Sequence, residues 1–86
     1  MKYEKEVFDH MMSCMKLWQI HVSSDGRFWA GPRTADGRVT ENHVRSMLRQ
    51  ELIIAFRLSE AARKKYINSL LAFAIDKAGR LERGEA

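Results

Sequence analysis

Apolar side chains recur every four residues at the start of the chain: Tyr3, Val7, Met11 and Met15, with Phe8, Met12 and Cys14 beside them. That period predicts a helix over residues 3–16. At 100° per residue the apolar positions spread over roughly 220°, about twice the stripe that burying one face requires. Such a helix is expected to be covered on two sides, by the chain's own later helices, a twin subunit or a foreign partner. The period then changes to two. Trp18, Ile20 and Val22 alternate with Gln19 and His21, the pattern of a half-buried strand. Trp18 and Val22 also extend the four-residue series, so residues 17–22 either finish the helix or open a sheet. The β-branched and aromatic residues gathered here, followed by Ser24-Asp25-Gly26, favour the strand and a hairpin. Arg27-Phe28-Trp29-Ala30-Gly31 is the expected return strand, which Pro32 ends or confines to an edge. The turn residues Ala35-Asp36-Gly37 admit a short third strand at Arg38-Val39.

Helical spacing resumes after Thr40, whose hydroxyl can accept a hydrogen bond from an unpaired amide of the first turn. Val39 and Val44 stand at the two positions of a hydrophobic staple. This second helix is expected from Glu41 to about Arg57. Ser59 is the expected cap of a third helix, Glu60 to Ala78, with Gly79 as its stop. One unbroken helix over 41–78 would be ~57 Å long, too long for a small domain unless two subunits share it. A break near Leu58 is therefore expected. The fold class read from these patterns is α+β: an N-terminal helix, a small antiparallel hairpin or meander, then two C-terminal helices. Residues 1–81 form a single domain in this reading, and 82–86 a frayed tail.

Composition narrows the function classes. A chain of 86 residues has room for one thin core. The charged start, Met1 to Glu6, is followed by no secretory apolar segment. The longest apolar stretches, 52–56 and 70–75, fall far short of the ~20 residues a membrane span needs. The one cysteine, Cys14, leaves no internal disulfide and fits a reducing compartment. A soluble cytoplasmic protein with no membrane partner is expected.

Charge changes the picture more. The net charge is +4, and residues 27–65 hold nine Lys and Arg against four Asp and Glu, seven of the nine being arginine. Arginine suits planar, multi-point contact with carboxylate and phosphate. On the second helix Asn42, Arg45, Ser46, Arg49, Gln50, Ile53 and Arg57 share one arc without a carboxylate. Arg27, Arg33 and Arg38 on the hairpin extend it, and Trp29 or Phe28, if exposed, can stack on a base. The competing reading is a solvated face whose arginines pair with Glu41, Glu51 or Glu60. Arg63-Lys64-Lys65 puts three cations where a helix start prefers negative charge. Met11, Met12 and Met15, with Phe8, form either core filler or a dimer or docking face, since methionine adapts to partner surfaces.

Chemistry beyond binding finds little support. His10 and Cys14 at i and i+4 can put two metal ligands on one helix face, with His21 and His43 available to complete a set. The paired closure that makes zinc sites recognisable is missing, so no metal or cofactor is expected. No nucleophile elbow or glycine-rich phosphate loop occurs, and no catalytic residue is assigned. Glu4 and Glu51 fall on apolar arcs, as buried carboxylates or as edge residues paired with a cation. The element order is similar in topology to the double-stranded RNA-binding domain, but Thr40 to Arg45 stands where that family carries Lys-Lys-x-x-Lys. No family is assigned. The expected function is stoichiometric binding without catalysis, as an inhibitor, adaptor or regulator, a role that compact phage and mobile-element proteins often play. The partner is an acidic protein surface or a protein–nucleic acid complex, and a homodimer is allowed. The alternative is a nucleic-acid-binding regulator using the same arginines on phosphates.

Overall fold

The computed structural model describes residues 4–31 and 37–84. The element order is α1 (Glu4–Leu17), β1 (Ile20–Val22), β2 (Phe28–Ala30), β3 (Arg38–Val39), α2 (Glu41–Phe56) and α3 (Glu60–Glu82). The architecture is α+β, three helices and one three-stranded antiparallel sheet of order β1-β2-β3. Tyr3, Pro32, Arg33 and the turn residues Ala35 and Asp36 lie outside the described residues. Among the described residues no helix is long and apolar enough to cross a membrane.

The ambiguous stretch after α1 resolves as a turn followed by a strand. Gln19 adopts a left-handed conformation (φ 56°), and its amide bonds to Lys16 at 3.1 Å, which reverses the chain. Trp18 therefore lies in the turn and the strand starts at Ile20, two residues later than the alternation suggests. β1 pairs with β2 through Ile20↔Ala30, His21↔Trp29 and Val22↔Phe28, and β2 with β3 through Phe28↔Val39 and Trp29↔Arg38. Gly26 closes the first hairpin at φ 83°, a conformation that costs an L side chain energy and glycine nothing. Within this turn the Ser23 hydroxyl donates to the Asp25 carboxylate.

The core is one contiguous cluster drawn from every helix and from β2. It includes Val7, Met11 and Met15 of α1, Phe28 of β2, Val44, Leu48 and Leu52 of α2, and Tyr66, Ile67, Leu70 and Leu71 of α3. The broad apolar arc of α1 is covered by the chain itself, since α1 packs against α2, α3 and β1. Thr40 accepts from the His43 amide at 3.1 Å and Ser59 from the Ala62 amide at 3.3 Å, as the capping signals predict. Val39 packs on the same core that buries Val44.

α2 stops at Phe56 because Arg57 turns left-handed (φ 53°, ψ 38°). Its amide bonds back to the Ile53 carbonyl at 3.0 Å and the Leu58 amide to the Leu52 carbonyl at 3.4 Å, so two backbone bonds close this left-handed helix ending. Residues 57–59 then connect to α3, giving the expected break and an antiparallel helix pair. Gly79 does not stop α3, which runs to Glu82. It lies buried inside the helix and faces Ser24 of the β1–β2 turn, with the position of a Cβ in ordinary contact 3.6 Å from Ser24 Cβ. Glu82, grouped by sequence with the tail, is the last helical residue and accepts a hydrogen bond from Ser24. Gly84, just past the helix end, takes a left-handed conformation, φ 79°.

Candidate functional site

α2 separates two faces. Val44, Leu48 and Leu52 point into the core with no exposure. Asn42, Ser46, Arg49, Gln50, Ile53 and Arg57 are all exposed on the other side, and no carboxylate interrupts them. Arg45, also placed on this face by sequence, is half-buried and committed. Its Nε donates to Glu41 at 3.1 Å and its Nη1 to Asn68 of α3 at 2.7 Å, so it clamps α2 to α3. In an antiparallel pair, that register sets Arg49, one turn on in α2, level with Lys64, one turn back in α3.

The basic run at the start of α3 divides in the same way. Arg63 bends back and its Nη1 donates to the Leu58 carbonyl, satisfying the loop between the helices. Lys64 and Lys65 stay exposed. Among the described residues Arg49, Arg57, Lys64 and Lys65 form no ion pair. This end of the α2–α3 hairpin therefore carries four cations outside any ion pair, with Glu60 in the first turn of α3 as the nearby carboxylate. Ile53 and Ile54 lie beside them, 42% and 72% exposed.

The hairpin end differs. Arg27 Nε lies 3.1 Å from Asp25. The Asp25 carboxyl is held below the usual carboxylate range, mainly by the Ser23 hydroxyl, with Arg27 adding to it. Arg27 and Arg38 flank a shallow cleft that Glu41 also lines, and Trp29 is half-buried and engaged. The cationic track expected to run from hairpin to helix is thus interrupted by Asp25 and Glu41. Its uncompensated part is the C-terminal half of α2 and the start of α3. Arg33 lies outside the described residues.

The methionine group is split as well. Met11 is fully buried and serves the core alone, while Met15, 7% exposed, packs in the core and reaches the edge of a groove. Phe8 and Met12 are half-buried. The Phe8 ring meets Phe73 edge-on, 5.4 Å between centroids. Met12 and Met15 border a groove of about 640 Å³ with Ile20, Val22, Phe73 and Leu81. Phe73 and Leu81 carry no local signal that sets them apart from core positions of α3. The packing of α3 against α1 and β1 brings them to this groove.

A third constellation joins α1 to α2. His10 Nε2 and Cys14 Sγ each lie 3.3 Å from Glu51 Oε1, and the ligand-capable atoms of all three fall within 4.8 Å of one another. The Phe56 ring stands edge-on to His10 at 5.4 Å. Burial first, then the Glu51 hydrogen bond and charge, push the Cys14 thiol up to about 11. At neutral pH it is a protonated thiol, the reverse of an activated nucleophile. His21 on β1 and His43 in the first turn of α2, considered as further ligands, are both exposed and do not join this group. The missing partner is Glu51, marked in the sequence by its place on an apolar arc and as a possible partner of arginines, but not of His10 and Cys14. No family model, curated protein or solved structure matches the chain.

Proposed function

We propose that this protein acts by stoichiometric binding, without catalysis, to an acidic surface on a larger protein, as an inhibitor, adaptor or regulator in a reducing cytoplasmic setting. The observation that carries this reading is the exposed end of the α2–α3 hairpin. Four cations stand there, Arg49, Arg57, Lys64 and Lys65, against the single carboxylate of Glu60 and outside any ion pair among the described residues, and the exposed Ile53 and Ile54 sit among them. Cations supply steering and selectivity for an acidic partner. The isoleucines add apolar area that contact with phosphates does not require, which favours protein over nucleic acid.

The test is affinity capture from cells that express the chain, using the wild type and Arg49→Glu with Arg57→Glu as baits. Arg45 is left intact because its bonds hold α2 to α3. The expected result is one protein retained at equal stoichiometry, resistant to nuclease and lost with the double reversal. Retention that survives the reversal would remove this face from the reading. A parallel titration against duplex DNA, single-stranded DNA and RNA decides the alternative. Binding whose log affinity falls steeply with log salt would transfer the arginines to phosphates.

A further inference from the structure

We infer that His10, Cys14 and Glu51 form a zinc site that ties α1 to α2. The three donors are an imidazole nitrogen, a sulfur and a carboxylate oxygen, a set that suits zinc and disfavours magnesium and calcium, which take oxygen. Tetrahedral zinc with bonds of about 2.0–2.3 Å places its ligand atoms roughly 3.3–3.8 Å apart. Both contacts to Glu51 Oε1 are already 3.3 Å. The third separation, within 4.8 Å, closes with small side-chain rotations.

The frame is suited to holding this geometry. His10 and Cys14 stand one turn apart on one face of α1, and Glu51 faces them from α2 across a packed helix contact. Phe56 fixes the His10 ring from one side. The side chains of His10 and Glu51 are about a third exposed, so water can take the fourth position.

Charge gives an independent argument. Among the described residues Glu51 has no Lys or Arg partner, although it is half-buried between two helices. Its polar partners are the His10 ring and the Cys14 thiol, and neither is a fixed cation. Zinc supplies one. On binding, the Zn–S bond forms as the Cys14 S–H bond breaks and its proton leaves to solvent. Zn²⁺, thiolate and carboxylate then sum to zero around a neutral imidazole. His21 and His43 are not needed.

The experiment is titration of the reduced, untagged chain with zinc, and with cobalt as a spectroscopic probe. The expected results are one metal per chain, release of a proton, a rise in melting temperature with zinc, and a thiolate-to-cobalt charge-transfer band in the near ultraviolet. Cys14→Ser should abolish the band. Glu51→Gln should weaken zinc binding at least tenfold, with circular dichroism confirming an unchanged fold. His21→Ala with His43→Ala should bind as the wild type does. Absence of 1:1 binding, or wild-type affinity in folded Glu51→Gln, would overturn the assignment even if Cys14→Ser failed to fold.

Discussion

Arg57→Gly should make this protein more stable and a weaker binder. Arg57 sits in the left-handed region at φ 53° and ψ 38°, where an L side chain crowds its own backbone at a cost of about 1–2 kcal/mol. Glycine removes that strain. It also gives the unfolded chain more freedom, which returns roughly 0.5–1 kcal/mol. The balance is a gain of about 0.5–1 kcal/mol, or some 3–6 °C in melting temperature for a domain of this size. Thermal melts by circular dichroism, with urea midpoints at constant slope, read this directly. Arg57→Lys keeps both strain and charge and should melt with the wild type. In the capture assay Arg57→Gly should lose partner while Arg57→Lys retains most of it. An unchanged or lower melting temperature for Arg57→Gly would refute the reasoning. It would mean that the arginine side chain stabilises the helix end by more than its backbone costs.

Other expectations follow from the core, the caps and the thiol. Leu48→Ala empties a fully buried position and should cost about 3 kcal/mol, visible as a large drop in urea midpoint for a chain whose whole stability is about 4–13 kcal/mol. Thr40→Ala removes the acceptor of the His43 amide and should cost about 1 kcal/mol by the same measure. With its pKa near 11 against 9.0 for an ordinary thiol, metal-free Cys14 should be alkylated at pH 8 about a hundredfold more slowly than in the unfolded chain, from thiolate supply alone. Glu51→Gln should lower that pKa without restoring it, because burial is the larger cause. The unfolded thiol ionises first, so this contribution to stability is intact below pH 9 and lost by pH 11, up to about 3 kcal/mol. A Cys14 alkylation rate equal to that of the denatured chain would contradict it.

Much of the fold was legible because its signals are local. Thr40, Ser59 and the paired valines at 39 and 44 mark helix starts through bonds and contacts within one turn. Ser24-Asp25-Gly26 marks a hairpin through the conformation that only Gly26 takes easily. The misreadings share one cause, a residue whose role is set by a distant element. Gly79 looks like a stop and instead faces Ser24 from inside a helix. Met11 looks available for a partner until the other helices close over it. Arg45 and Arg49 are equivalent on a helical wheel. Asn68, on the next helix, separates them by binding only the first. Glu51 is the clearest case, since nothing within its own helix pairs it with His10 and Cys14.

α2 is the element on which both proposals meet, and its geometry keeps them apart. Glu51 projects from α2 roughly 150° away from the mean direction of the exposed face carrying Arg49, Ile53 and Arg57. The core residues Val44, Leu48 and Leu52 fill much of the space between. No described side chain bridges the two sites, so any coupling has to pass through the helix as a rigid body. Direct charge coupling across a helix about 10–12 Å wide is weakened by screening at physiological salt, where the Debye length is about 8 Å. Arg49→Glu with Arg57→Glu should therefore leave zinc affinity within about threefold of wild type, measured by competition with a chromogenic chelator. Zinc removal should in turn weaken partner capture only as far as it loosens α2 against α1. If charge reversal at the outer face shifted zinc affinity by tenfold or more, the two sites would be one electrostatic unit, and their assignment to opposite sides of α2 would fail.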